Sequence, residues 1–202
     1  MTDDMPTQQL HMLWPADQPN SVPTVSLAEG YAVRTYRPED AEALTALIHL
    51  AGFKEWTEES FRGVLQRALP DGIFFAVHQA TGWLAAVATA THNPLELHPF
   101  GGELGWVAGD PEHAGKALGA VVCAAVTERF LQARYRRIYL RTDDWRLAAT
   151  KTYLKLGYVP FLFQSDMEQR WSSVCEKLDW PFNPNDWQRI TNHPYGPSKR
   201  KS

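Results

Sequence analysis

Apolar and polar residues alternate over residues 30–36 (GYAVRTY), the period-two pattern of a strand with one buried face. Pro38, Glu39 and Asp40 then open a helix that carries Leu44, Leu47, Ile48 and Ala51 on one side, and Gly52 stops it. A shorter helix is predicted over residues 60–69, ending at a Pro70-Asp71-Gly72 turn. Residues 73–78 and 83–91 read as two strands about Thr81-Gly82, a hairpin signature, and 103–109 as a further strand. Apolar residues at 118, 121, 122, 125 and 126 then keep the spacing of a long helix buried along one side. Residues 137–141 are strand-like, with Ile138 and Leu140 on one face. The next helix aligns Ala149, Thr152, Tyr153 and Leu156, with Gly157 placed as its left-handed cap. A strand at 158–163 and a helix at 168–178 close the series. The order β-α-α-β-β-β-α-β-α-β-α is that of a mixed α/β sheet.

Eight of the 14 prolines lie within residues 1–23 and 181–202. The compact domain is therefore expected over 28–180, between an extended arm (1–27) and a Pro-rich, basic tail (181–202). The first residues, MTDDMPTQQLHMLWP, carry acids where a signal peptide has bases, and no apolar run approaches the roughly 18 residues of a membrane helix. A cytoplasmic protein with no membrane partner is expected. With 20 basic and 23 acidic residues the chain has no global positive field, so no nucleic-acid partner is expected either. Cys123 and Cys175 both fall in helical apolar stretches and read as small buried thiols in a reducing compartment.

The sequence contains no GxxxxGK[ST] loop, no GxGxxG after a strand, no GxSxG and no HExxH. His92 and His98 form a close pair without a third and fourth ligand at defined spacing, so no metal is expected. The informative stretch is 102–126 (GELGWVAGDPEHAGKALGAVVCAAV), a strand, a loop of small residues and a helix N-terminus. The first amides of a helix lack intrahelical partners and carry partial positive charge, which suits a phosphate. Ala114, Gly115, Ala117 and Gly119 would let an anion approach the backbone, and Lys116 would add a charge. The same small residues would also serve a tight strand-to-helix connection, and this segment alone leaves both readings open.

A second segment, 139–160 (YLRTDDWRLAATKTYLKLGYVP), reads as strand, loop, helix and strand. Together the two segments resemble the GNAT superfamily of acyl-CoA-dependent N-acyltransferases, over roughly residues 30–165. The family's phosphate-loop pattern, Arg/Gln-x-x-Gly-x-Gly/Ala, aligns with Ala114, Gly115, Lys116, Ala117, Leu118 and Gly119. Its later pattern, Asn-x-x-Ala-Ile-x-x-Tyr-x-x-x-Gly-Phe, aligns from Arg146 through Ala149, Thr150, Tyr153, Gly157 and Tyr158. Ala114, Ala117 and Arg146 depart from it. Arg146 would either reach a CoA phosphate or pair with Asp143 or Asp144.

The resemblance implies a mixed, largely antiparallel sheet of six to seven strands, splayed between the fourth and fifth. It implies acetyl-CoA as co-substrate, with pyrophosphate on residues 114–119 and the pantetheine arm along the backbone of Val107, Ala108 and Gly109. Tyr153 takes the family position of the acid that protonates the departing thiolate. Glu103 takes that of the general base, and simple strand alternation would put it on one face with Val107. His92 and His98 are further base candidates. The acceptor would be the primary amine of a small molecule or peptide, and the protein a monomer or homodimer. Residues 51–60 and 92–101 would shape the acceptor site. Phe53, Trp56 and Phe61 would line it and Glu55, Glu58 and Glu59 attract an ammonium, unless these residues are ordinary core and a solvated turn. The departures also admit an acyl-CoA-binding sensor with little catalysis.

Overall fold

The alternating segments pair into one sheet of eight strands: β1 (Leu10–Leu13), β2 (Tyr31–Thr35), β3 (Ala68–His78), β4 (Leu84–His92), β5 (Gly102–Gly109), β6 (Ile138–Thr142), β7 (Val159–Leu162) and β8 (Gln188–Arg189). Their order across the sheet is β2-β3-β4-β5-β6-β1-β7-β8. The computed structural model describes residues 8–15 and 22–189. Five helices flank the sheet: α1 (Ala41–Leu50), α2 (Glu58–Arg67), α3 (Leu118–Gln132), α4 (Leu147–Leu156) and α5 (Met167–Leu178). Most pairs are antiparallel; β5–β6 and β7–β8 are parallel.

Two strands beyond the expected six come from the stretches read as arm and tail. β1 lies between β6 and β7, antiparallel to both, and its four side chains are all buried. The domain therefore reaches back to at least Leu10, not to residue 28. A strand buried on both faces shows no apolar–polar alternation, so LHML among prolines gave no period-two signal. The basic tail beyond residue 189 lies outside the described residues.

Two layers of core fill the faces. On one side Val122, Val126 and Phe130 of α3 share a core with the alanine row Ala86, Ala88 and Ala90 of β4, and Tyr153 of α4 and Trp171 of α5 extend it. On the other, Leu44, Leu47 and Ile48 of α1 and Val64 of α2 cover Phe75, Val77 and Val87. Both Cys123 and Cys175 are free and buried, and burial pushes both thiols up from their ordinary pKa. The Pro70-Asp71-Gly72 turn is absorbed into β3 as an irregularity, with Asp71 at a φ of 56° and the β3–β4 register shifting between Ala68 and Ile73.

A second register shift decides more. Between Val87 and Thr89 the β4–β5 pairing slips by one residue, and Trp106 sits there with a φ of 48°. An extra residue in one strand reverses the sense of alternation beyond it. Glu103 and Gly105, opposite Thr91 and Thr89, thus share a face with Ala108, opposite Val87. Val107 packs into the opposite core layer. Glu103 and Val107 are therefore not on one face, because the bulge lies between them.

β1 also buries a histidine pair. His11 Nδ1 lies 2.8 Å from His98 Nε2, and Arg137 Nε donates to His98 Nδ1 at 3.1 Å. The His98 Nε2–H must then donate to His11 Nδ1, which requires both rings to be neutral. Burial, with Arg141 and Arg137 nearby, lowers the His11 pKa to about 4; burial and Arg137 lower that of His98 to about 3. The unfolded chain binds these protons from about pH 6.5 downward. Stability is thus complete above pH 6.5 and is lost as pH falls toward the folded values, by up to about 1.4 kcal/mol per pH unit for each ring. Urea denaturation at pH 7 and pH 5 should show this fall, and His11→Gln should make it shallower. An equal midpoint at both pH values would mean that the pair is not held neutral.

Candidate active site

β5 pairs with β6 only at Gly102↔Ile138 and Glu103↔Tyr139. Beyond these residues the two strands diverge, as the resemblance implies for the fourth and fifth strands of the expected set. A cavity of about 770 Å³ opens along the gap. Val107, Ala108 and Gly109 wall it from β5, Ala114 through Ala120 from the loop and the start of α3, and Ala149, Thr152 and Tyr153 from α4.

The loop geometry follows from its residue types. Asp110 caps the 3₁₀ turn at 111–113: one carboxylate oxygen accepts from Glu112 N at 2.9 Å, the other from Trp83 Nε1 at 2.6 Å. The Tyr31 hydroxyl pairs with His113 Nδ1 at 2.6 Å. Gly115 takes a φ of 79°, and Ala117 takes 55° as the N-cap of α3, with no side chain capping it. The amides of Leu118, Gly119 and Ala120 precede the first intrahelical bond, Val121 N to Ala117 O. A side chain added at Gly115 or Gly119 would meet nothing within 4 Å. Lys116 is exposed at the same cavity. Helix–sheet packing therefore does not demand a small residue at Gly115 or Gly119. The backbone stands open to the cavity.

Tyr153 comes from the sheet-facing side of α4, whose C-terminus is closed by Gly157 at a φ of 105°. Its ring is buried, and its hydroxyl has no hydrogen-bond partner among the described residues. Burial raises its pKa well above 10; Cys123 and Tyr158 act in the same direction and Arg146 opposes. Tyr153 thus stays protonated over any physiological pH.

A second cavity, about 370 Å³, lies beyond Tyr153. Val107, Ala149 and Tyr153 line both cavities, so the two meet at these residues. Glu103 faces the second one. Its Oε1 accepts from Arg141 Nε at 2.7 Å and its Oε2 from Asn93 Nδ2 at 2.5 Å. Arg146 opens on the second cavity rather than on the phosphate loop. Its Nε donates to Asp143 Oδ2 at 3.0 Å, and its guanidinium lies over the rings of Phe53 and Trp145. The expected pairing with Asp143 is formed.

The histidine candidates fall elsewhere. His98 is buried against His11 and Tyr139, and His92 pairs with the Tyr135 hydroxyl; neither lines the two cavities. Among the acceptor candidates only Phe53 reaches the second cavity. Trp56 is core, stacked edge-on to Trp106, and Glu58 pairs with Arg62 on the surface. The acidic turn at Glu55, Glu58 and Glu59 does not line the second cavity.

Other lining residues carried no sequence signal. Pro23 through Ser26, read as part of an arm, wall the first cavity, and Gln9, Arg67 and Arg141 line the second, where Asn93 of the 92–101 segment joins them. Each reaches its place through chain contacts far apart in sequence. No three His, Cys, Asp or Glu side chains among the described residues come together as metal ligands. No helix among them is long and apolar enough to cross a membrane.

The chain matches the Acetyltransferase (GNAT) family over residues 41–158, more than half of its length. Among solved structures, it is similar to a GCN5-related N-acetyltransferase from Sphaerobacter thermophilus, at 19% identity and a TM-score of 0.60, with 76% of this chain and 49% of that one covered. A GCN5-related N-acetyltransferase from Kribbella flavida gives 21% and 0.54, with 76% and 55% covered. The ribosomal-protein-S18-alanine N-acetyltransferase from Escherichia coli gives 22% and 0.51, with 63% and 76% covered. The chain spans about half the length of the first two, and likeness at these identities speaks for the fold. Comparison with curated proteins gives no match. With the family match running from α1 through α4, and the splayed sheet and open-backbone loop inside it, the chain belongs to the GNAT acetyltransferase family.

Proposed function

We propose that the protein transfers an acetyl group from acetyl-CoA to a primary amine by direct attack of the amine. The observation that carries this reading is the junction of the two cavities at Val107, Ala149 and Tyr153. A long cleft with an open-backbone loop at its far end meets a smaller chamber at one proton-donating side chain. Acetyl-CoA, when bound, supplies an activated acyl carbon and a thiolate leaving group.

In this reading the amides of residues 117–120 hold the pyrophosphate, with Lys116 as a nearby charge. The backbone of Val107, Ala108 and Gly109, on the edge that β6 leaves, bonds the pantetheine arm. Glu103 takes a proton from the amine through the second cavity as the C–N bond forms. Tyr153 gives its proton to the sulfur as the C–S bond breaks, and the phenolate left behind takes a proton back from solvent before the next turnover. The Glu103–Arg141 ion pair favours one second reading, acyl-CoA binding with little turnover, since the carboxylate is already held by Arg141 and Asn93. Titration calorimetry with acetyl-CoA, followed by a thiol-release assay over a series of amines, tests the first reading and separates the two.

Gly119→Leu should fold normally, because the space beside it is open, and should fill the approach to the α3 amides. Acetyl-CoA affinity is expected to fall about tenfold or more, about 1.4 kcal/mol. Unchanged affinity would remove the phosphate role of the loop. Tyr153→Phe keeps the buried ring and removes a hydroxyl with no partner among the described residues, so it should cost little stability. If Tyr153 is the acid, kcat falls by about 10² or more with acetyl-CoA affinity preserved. A threefold fall or less, with chemistry rate-limiting, assigns the proton to water. Glu103→Gln should lower the rate and flatten its rise with pH; an unchanged profile moves the base elsewhere.

A further inference from the structure

The second cavity has an unequal stock of hydrogen-bonding groups. Each oxygen of its two carboxylates, Glu103 and Asp143, already accepts one hydrogen bond: Glu103 from Arg141 and Asn93, Asp143 from Arg146 and Gln9. Its three arginines are less fully engaged. Arg141 and Arg146 each spend only Nε on a carboxylate, and their Nη groups make no hydrogen bond among the described residues. Arg67, at the C-terminus of α2, has no polar partner among them. Two ion pairs cancel in charge and leave one guanidinium over. The buried hydroxyl of Thr142, also on the cavity wall, has no hydrogen-bond partner among the described residues.

A cavity with more unpaired N–H donors than unpaired acceptors favours an amine that also carries an acceptor group over a simple alkylamine. A carboxylate brings two acceptor oxygens, in the planar geometry that a guanidinium matches. The volume, about 370 Å³, is at the lower end for ligand sites and suits a small molecule. We infer that the acceptor is a small amino acid whose carboxylate is held by Arg67 and the free Nη groups of Arg141 and Arg146, with its amino nitrogen at the Tyr153 junction. This rests on the acetyl-transfer reading above and narrows its substrate class.

Acetyl transfer to the standard L-amino acids is compared with transfer to their carboxamides, which keep the amine and side chain and lose only the charge. Rates are expressed per free amine. The acids should show a kcat/KM about tenfold or more above the amides, the size of a charge-assisted hydrogen bond. Arg67→Gln, at an exposed helix end, should raise KM for the acids about tenfold and barely change the amides, and Arg67→Lys should restore part of the loss. Amides used as well as acids, or an acid preference untouched in Arg67→Gln, would overturn the inference and leave acetyl transfer standing. Failure of acetyl-CoA to bind in calorimetry, or binding with no member of either series acetylated, would overturn the transfer reading and this inference with it.

Discussion

Pairing between β5 and β6 ends after Glu103 and Tyr139, which leaves the edge of β5 without a strand neighbour inside the fold. Backbone N–H and C=O groups seldom stay unpaired away from water, where each costs about 1–3 kcal/mol. The fold leaves that edge open to the cavities and lined by side chains of α4 instead of closing the sheet over it. Ala149 and Tyr153 stand in the gap, and both cavities touch them. The rest of the site is arranged around this interruption.

The bulge at Trp106 belongs to the same constraint. A non-glycine residue at positive φ costs roughly 1–2 kcal/mol, and the aromatic packing around it offsets that. The Trp106 ring meets Trp56 at 4.4 Å and Phe53 at 5.6 Å between centroids. By reversing the alternation of β5, the bulge sends Glu103 toward the α1–α2 side and Val107 toward the α3 side. One strand thereby serves two chambers. The loop beyond it is fixed from outside, by Trp83 and Tyr31 on Asp110 and His113. Such preorganisation lowers the ordering cost that a ligand would otherwise meet on binding.

Charge in the smaller chamber is arranged in pairs drawn from distant parts of the chain. Arg141 on β6 meets Glu103 on β5, while Gln9 ahead of β1 and Arg146 ahead of α4 meet Asp143. Pairs of this kind set direction more than stability, since half-buried ion pairs contribute little net energy. What they leave over is a set of unpaired guanidinium N–H groups facing one space. Beside them, the buried His11–His98 pair shows the opposite economy, two neutral rings that satisfy each other next to Arg137.

The local elements were readable because each has a period or a cap that its own residues set. The alternation at 31–35, the apolar side of α3, Gly157 as a left-handed cap and the small residues of the 114–119 loop all act within a few residues of one another. Those features, in that order, also determined the family, the sheet with its gap and the place of Tyr153. What only the tertiary structure decided depends on pairing across long separations. β1 joins the middle of the sheet because β6 and β7 leave it a slot, and LHML by itself has no alternation to announce this. The bulge in β5 appears only in register with β4, so the face of Glu103 could not be counted from Val107. Arg146 was legible as a cation, but its partner and its chamber were settled by where Asp143 and Phe53 lie in space.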